Sequence, residues 1–146
     1  MRRLVDTSVW LALAIDTHEF HAAAVEWLNG LSSTEPIVFC RSTQQSFMRL
    51  LTTSYVFRPH VLPPLTNRES WDAYELWAAR DNVSFAEEPP NLEVEWRALS
   101  SRPTSSPKLW MDSYLAAFAI AGGYQLVTLD AGFRQFAGLD LVVLSA

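Results

Sequence analysis

The stretch QLVTLDAGF (residues 125–133) decides the fold, because its apolar run 126–129 ends directly on the carboxylate of Asp130. The same order occurs near the start of the chain, where Leu4 and Val5 are followed by Asp6. Short continuous apolar runs are typical of strands that are buried on both faces of a parallel sheet. We therefore predict two strands of one parallel sheet, each ending on an aspartate. An aspartate alone is commonly a cap or turn residue, so the two are informative mainly as a pair.

The predicted elements alternate between strands and helices along the whole chain. Strands are predicted at 2–6, 37–40, 83–85, 125–129 and 140–144. Helices are predicted at 9–15, 18–29, 43–51, 67–81, 92–99 and 107–122, with a short helical turn at 131–136. Strand–helix–strand connections produce parallel strands. We therefore predict an α/β fold: one three-layer α/β/α domain over residues 1–146 with a mostly parallel central sheet.

Small polar residues precede most of these helices and are expected to cap their first turns. The expected N-cap residues are Thr7 or Ser8, Thr17, Asn91 and Ser106, the last with Pro107 at the first helical position. Thr66 and Glu69 have the spacing of a capping box. The segment 54–65 contains three prolines and is predicted to lack regular structure, which makes it a candidate for substrate choice.

The composition predicts a globular protein with an acidic surface. Apolar residues make up 49% and charged residues 18% of the chain, and the formal net charge is −5. This balance argues against a protein that coats DNA non-specifically, although a small RNA can still bind a local positive patch. No apolar segment reaches the roughly 18 residues of a membrane span, and a single cysteine, Cys40, suits a reducing compartment. We expect a cytoplasmic protein without a membrane segment.

Three distant aspartates are expected to converge at one edge of the sheet. In an open α/β sheet the binding crevice lies outside the carboxyl ends of the strands, which is where Asp6 and Asp130 stand. Asp112 is the third candidate, because it is the one acid in a helix whose next three turns are apolar. That helix leads straight into the strand that ends on Asp130.

Such a cluster of acids requires either protonation or a bound cation. Two carboxylates about 4 Å apart near a protein surface repel each other by roughly 4 kcal/mol. Oxygen ligands without a nearby pair of His or Cys residues suit Mg²⁺, or Mn²⁺, better than Zn²⁺. Such ions act chiefly in phosphate chemistry, where they orient the phosphodiester and activate water. The competing interpretation is that each aspartate only caps a helix or a turn.

Four motifs occur in order over nearly the whole chain: LVDTSVW (4–10), TQQSFMRLLT (43–52), DSYLAAFA (112–119) and LVTLDAGF (126–133). Together they resemble the PIN-domain ribonucleases, specifically the VapC-type toxins of bacterial toxin–antitoxin pairs. The resemblance implies a metal-dependent endoribonuclease that hydrolyses RNA phosphodiester bonds. It implies that Asp6, Asp112 and Asp130 are the catalytic residues and the metal ligands. It also implies a cognate antitoxin protein that blocks the acidic pocket, and a homodimer formed through the early helices.

One position departs from the family pattern. Most of the family has a glutamate on the helix after the second strand, where this chain has Gln44. An amide keeps a carbonyl oxygen but loses a unit of negative charge. The alternative function is therefore a catalytically weak PIN-like module that binds RNA or a protein. Gln44 and Ser8 are the candidates for supporting contacts around the acids, and Ser8 is equally explained as a helix cap.

Three further residues are candidates for contacts along a substrate groove. Arg41 and Lys108 are candidates for the RNA backbone, and Trp110, two residues before Asp112, is a candidate for a base. Each has a simpler explanation as a solvated charge or a packing residue. An aspartate-based phosphotransfer domain also sets acids at strand ends, but the chain has no DxD spacing.

Overall fold

The computed structural model describes residues 1–60 and 62–145. The strands are β1 (Arg3–Val5), β2 (Ile37–Phe39), β3 (Val83–Phe85), β4 (Gln125–Thr128) and β5 (Leu141–Val143). The α-helices are α1 (Thr7–Ala14), α2 (His21–Asn29), α3 (Arg41–Leu51), α4 (Ser54–Phe57), α5 (Asn67–Ala78), α6 (Leu92–Ser100) and α7 (Leu109–Gly122). Two short 3-10 helices span Arg58–His60 and Ala131–Gln135. The predicted alternation of strands and helices is confirmed.

The five described strands form one parallel sheet in the order β3-β2-β1-β4-β5. From β1 the chain adds strands on one side, and β4 then begins the other side. β1 and β4 are therefore the neighbours at which the order reverses, and such a switch point opens a crevice at the carboxyl edge. Leu4 is in register with Val38 on one side and with Leu126 on the other. The prediction of a parallel α/β sheet is confirmed.

The sheet is covered on both faces, which gives the three predicted layers. Val5 belongs to a cluster with Trp10, Phe39 and residues of α1, α2 and α3, and the Trp10 and Phe39 rings stack with centroids 3.9 Å apart. Leu4 points to the other face and belongs to a cluster with Phe118 and other residues of α7. Successive strand residues alternate between faces, which explains why consecutive residues such as Leu4 and Val5 are both apolar and buried.

Several helix starts differ from those predicted. Asp6 occupies the N-cap position of α1, so neither Thr7 nor Ser8 caps it, and α2 begins at His21 rather than after Thr17. α7 begins at Leu109 with Lys108 as its N-cap, two residues later than predicted from Pro107. The N-cap of α6 is Asn91 as predicted, but it has a left-handed backbone (φ 68°) and no side-chain cap bond. The capping box is confirmed, since Thr66 Oγ1 accepts from the Glu69 amide (3.1 Å) and Glu69 Oε1 from the Thr66 amide (2.9 Å).

The segment 54–65 was predicted to be irregular, and that prediction is wrong for its first half. α4 and the 3-10 helix Arg58–His60 occupy it, and Pro59 lies in the first turn of the latter, where proline's missing N–H costs little. Val61 lies outside the described residues. In the described part of the chain, no helix has the length and apolar character needed to span a membrane.

Candidate active site

Asp6 stands at the switch point of the sheet, between β1 and α1. Its backbone amide donates to the Val127 carbonyl of β4 (2.9 Å), which extends the pairing of β1 and β4 by one residue. Its own carbonyl accepts from the amides of Val9 (3.0 Å) and Trp10 (3.2 Å) in the first turn of α1. The residue is therefore fixed by the strand and the helix together, and its side chain leaves the carboxyl edge of the sheet.

Two hydroxyl groups hold the Asp6 carboxylate. Thr128 Oγ1 donates to Asp6 Oδ2 at 2.7 Å, and Ser8 Oγ donates to the same oxygen at 3.1 Å. Burial raises the pKa of Asp6 above its ordinary value, and the charge of Asp112 raises it further. The hydrogen bonds from Thr128 and Ser8 lower that pKa, because they stabilise the ionised form. The two hydroxyls therefore favour a charged carboxylate at a buried position.

The same two hydroxyls join the end of β1 to the residues that follow β4. Ser8 Oγ accepts from the Leu129 amide (3.1 Å), and Thr128 Oγ1 accepts from the Asp130 amide (3.0 Å). Each hydroxyl thus donates to Asp6 and accepts from the backbone leading to Asp130. Ser8 was predicted as a supporting contact, and its position beside Asp6 agrees with that prediction. Thr128 was not predicted, and its signal was a hydroxyl inside the apolar run two residues before Asp130.

Asp130 combines a structural and an electrostatic role. Its Oδ1 accepts from the Gly132 amide at 2.8 Å, which caps the 3-10 helix Ala131–Gln135. A Cβ atom at position 132 would lie 2.9 Å from that oxygen, so the cap favours glycine there. The interpretation of Asp130 as a cap is therefore correct for one of its oxygens. Its charge also acts beyond the cap, since it raises the pKa of Asp112.

Asp112 lies in the first turn of α7, where the charge of Asp130 affects its pKa. Its pKa is raised above the ordinary value, mainly by burial and also by the charge of Asp130, whereas Lys108 lowers it. Asp112 in turn raises the pKa of Asp6. The charges of Asp6 and Asp112 thus interact, as do those of Asp112 and Asp130. This is the relation expected for acids that converge at one edge of the sheet.

The donor chemistry of these acids fits a divalent cation. In the described ranges, no three His, Cys, Asp or Glu side chains stand close enough together to form a ready-made metal site. Mg²⁺ nevertheless commonly uses one or two carboxylates and completes its shell with water and substrate phosphate. Asp6 and Asp112 provide two carboxylates whose charges interact, and neither takes part in a salt bridge with another described residue. The prediction that all three acids bind the ion directly stays a prediction.

Gln44 is a buried residue of α3, and its amide oxygen accepts a hydrogen bond from an arginine side chain. Arg41 Nη1 donates to Gln44 Oε1 at 2.6 Å, and the Arg41 guanidinium lies 4.6 Å from the centre of the Phe85 ring. Burial raises the pKa of Tyr74, while the charge of Arg41 and a hydrogen bond with Gln44 lower it. The structure therefore groups Gln44 with Arg41 and Tyr74. Its predicted role beside the three acids stays a prediction.

Lys108 and Trp110 precede Asp112 in the chain, by four and two residues, and both are exposed. The Lys108 ammonium is close enough to lower the pKa of Asp112. Trp110 is 55% exposed, and its carbonyl accepts from Trp96 Nε1 at 3.1 Å. The Trp110 ring packs edge to face against Trp96, with centroids 6.1 Å apart, and its other surface is open to solvent. The binding of RNA by Lys108 and Trp110 stays a prediction.

The comparison with known proteins identifies the class to which this fold and site belong. The model of the PIN domain matches residues 3–139. The chain therefore belongs to the PIN-domain family. Within this family its relatives are VapC-type ribonucleases, as the motifs predicted.

Two curated relatives span nearly the full length of the chain. Ribonuclease VapC41 of Mycobacterium tuberculosis (strain ATCC 25618 / H37Rv) is 48% identical over 143 residues, which are 97% of this chain and 98% of the relative. Ribonuclease VapC29 of the same strain is 31% identical over 144 residues, which are 99% and 96% of the two chains.

Solved structures share the fold at low identity. VapBC2 from Rickettsia felis, bound to a DNA fragment from its promoter, has a TM-score of 0.72 at 12% identity and covers 99% of this chain and 100% of its own. M. tuberculosis VapC20, a sarcin–ricin loop cleaving toxin, has a TM-score of 0.64 at 17% identity, with 98% and 99% of the two chains covered.

Proposed function

We propose that this protein is a metal-dependent endoribonuclease, the toxin of a toxin–antitoxin pair, and that its active site comprises Asp6, Asp112 and Asp130. The observation that carries the proposal is the position of Asp6 at the switch point of a parallel sheet, where two hydroxyls that donate to Asp6 also accept from the backbone leading to Asp130. The charge of Asp112, which raises the pKa of Asp6, is consistent with this arrangement. Membership of the PIN-domain family and the ribonuclease relatives support the same reaction. The alternative of a binding module without catalysis is not favoured, because these full-length relatives are ribonucleases.

The proposed cofactor is Mg²⁺, with Mn²⁺ as a substitute. PIN-domain VapC ribonucleases generally depend on a divalent metal ion, and oxygen-only ligands suit these two ions. When bound, such an ion neutralises charge on the phosphate and lowers the pKa of water. Asp6 and Asp112 are the proposed direct ligands, and Asp130 contributes directly or through water.

The surrounding residues prepare the acids for this task. Thr128 and Ser8 fix the orientation of the Asp6 carboxylate and favour its ionised form despite burial. Lys108 offsets part of the charge at Asp112 and presents a cation to an approaching phosphate. Because the whole chain is acidic, with a formal net charge of −5, such local cations are needed to attract RNA.

A cognate antitoxin is the proposed protein partner. The structures of similar fold include VapBC complexes from Rickettsia felis and from nontypeable Haemophilus influenzae. By this likeness we propose an antitoxin whose peptide covers the acidic pocket of this chain. We also propose a homodimer formed through the early helices α1 and α2.

The direct test is cleavage of total cellular RNA by the purified protein in Mg²⁺ and in EDTA. We expect cleavage in Mg²⁺ alone, and none with Asp6→Asn or Asp112→Asn. The matched control is Asp72→Asn, because Asp72 is an exposed acid on α5. Circular dichroism checks that each variant is folded. Full activity in either of the first two variants, or undiminished cleavage in EDTA, would refute the proposal.

A further inference from the structure

A cleft with largely apolar walls opens on the carboxyl edge of the sheet, beside the proposed active site. Its volume is about 500 Å³, within the range of small-ligand sites. It lies between the start of α3, the residues after β3, and the helices α6 and α7. Its walls include Arg41, Phe85, Glu87, Trp96, Met111 and Tyr114.

Two residues that line the cleft are neighbours of proposed site residues, one in the chain and one through a hydrogen bond. Met111 directly precedes Asp112, and Met111, Tyr114 and Phe118 lie at helical spacing along the face of α7 that lines the cleft. On the other side, Arg41 lines the cleft and donates to Gln44. A nucleotide next to a phosphate held near Asp112 would therefore find the cleft within reach.

The apolar walls suit a flat ring. The Trp96 and Tyr114 rings meet edge to face with centroids 5.5 Å apart, and the polarizable side chain of Met111 is 61% exposed. Phe85 lies beneath the Arg41 guanidinium, so this ring already has a cation against it. The walls therefore offer aromatic and polarizable surfaces against which a neutral planar base can pack.

The polar groups of the cleft favour a base over a phosphate. Tyr114 donates its hydroxyl proton to Glu88 Oε2 at 2.7 Å, and burial together with this contact raises the pKa of Tyr114. Glu87 is exposed, and in the described ranges no residue donates a hydrogen bond to its carboxylate. A carboxylate repels phosphate but accepts hydrogen bonds from the exocyclic amino groups of adenine, cytosine and guanine. Uracil has no such group.

From this geometry we infer that the cleft is a nucleobase subsite, which binds the base next to the scissile phosphate and prefers a base with an exocyclic amino group. The inference rests on the proposed function, since it assigns substrate specificity to the same site. Single-stranded RNA is usually recognised in this way, by apolar or aromatic contact with the ring and hydrogen bonds to its edge.

The test combines protein variants with abasic RNA. A short fluorescein-labelled single-stranded RNA of mixed sequence is compared with copies that lack the base at one position each. Affinity is measured by fluorescence anisotropy in EDTA, and kcat/KM is measured in Mg²⁺. The protein variants are Met111→Ala and Glu87→Gln. Their controls are Val94→Ala, since Val94 is 67% exposed on α6 outside the cleft, and Glu26→Gln, since Glu26 is exposed on α2.

We expect one abasic position to weaken binding or kcat/KM of the wild type by about 5-fold to about 150-fold, the range for the loss of one base contact. The same abasic position should have a smaller effect in Met111→Ala than in the wild type or Val94→Ala. Glu87→Gln should reduce the preference for cytosine over uracil at that position, and Glu26→Gln should not.

The inference would be overturned if the effects of the protein substitution and of base removal were additive at every RNA position, both in affinity and in kcat/KM. It would also be overturned if Met111→Ala and Glu87→Gln lost affinity for the antitoxin but responded to abasic RNA as the wild type does. The cleft would then bind a protein segment. The two proposals fail separately. Absence of Mg²⁺-dependent cleavage by the wild type would refute the proposed reaction, whereas the anisotropy measurement in EDTA still decides the base subsite.

Discussion

Substitution of Thr128 by valine tests how the buried Asp6 carboxylate is held. Valine keeps the shape of threonine but lacks the hydroxyl that donates to Asp6 Oδ2 at 2.7 Å and accepts from the Asp130 amide at 3.0 Å. Thr128 is fully buried, so the hydroxyl cannot simply be replaced by bulk water. The variant therefore removes one bond to a charged group and leaves one amide to find another partner.

The magnitude follows from these two bonds. A hydrogen bond to a charged group contributes about 1.5–3 kcal/mol, and an amide left without its partner costs roughly 1 kcal/mol or more. Because the two losses share one hydroxyl and are not additive, we expect Thr128→Val to lower the free energy of unfolding by about 2–4 kcal/mol near neutral pH. Thr128→Ser keeps the hydroxyl and loses one methyl group, which costs about 1 kcal/mol.

The pH dependence separates the charge effect from simple packing. Burial raises the folded-state pKa of Asp6, so ionisation of this carboxyl group destabilises the folded state. The free energy of unfolding therefore falls as the pH rises from the ordinary pKa of Asp through the raised one. Loss of the Thr128 hydrogen bond raises this pKa further, because that bond lowers it. The loss of stability in Thr128→Val should therefore be larger near neutral pH than at a pH below the ordinary Asp value. The acid limb of the cleavage rate should move to higher pH.

The measurements are urea unfolding of the metal-free protein over a pH series and cleavage of RNA over the same range. The assigned role of this hydroxyl would be refuted if Thr128→Val and Thr128→Ser were equally stable at every pH and had the same acid limb of the cleavage rate.

Two further predictions concern the charges that act on Asp112, and a third concerns Gln44. Asp112→Asn should make the metal-free protein more stable in urea near neutral pH but not at low pH, because it removes an acid whose pKa is raised in the folded state. Equal or lower stability near neutral pH would contradict this prediction. Lys108→Ala should move the acid limb of the cleavage rate to higher pH, because Lys108 lowers the pKa of Asp112. The control Arg68→Ala on α5 should leave the limb in place. An unmoved limb in Lys108→Ala would count against the effect of Lys108 on Asp112. Gln44→Glu should increase the affinity for Mg²⁺, measured by calorimetry, although the Arg41 guanidinium offsets part of the added charge. An unchanged titration would show that Gln44 does not line the pocket.

The positions of Asp6 and Asp130 were predictable because the ends of buried strands are visible in the local sequence. Each follows a largely apolar run, and such runs form buried parallel strands whose carboxyl ends share an edge. The contact of Thr128 with Asp6 was not predictable, since it joins residues 122 positions apart and depends on the register of β1 and β4.

The helix starts show a similar limit of local rules. Thr7 and Ser8 are good N-cap residues by type, but the pairing of Asp6 with β4 places Asp6 itself at the N-cap position of α1. Ser8 then lies inside the helix, where its hydroxyl is free to bridge Asp6 and Leu129. Tertiary pairing thus overrode the local capping preference, and the displaced residue became part of the site.

Calorimetric titration of Mg²⁺ into the metal-free protein tests the central account most directly. We predict that the wild type and Asp72→Asn bind the ion alike. We predict that Asp6→Asn and Asp112→Asn each lose most of the affinity, by about 10-fold or more, and that Asp130→Asn loses a smaller part. Equal affinity in the wild type and all three site variants would contradict the proposal that these acids together form a metal-dependent active site.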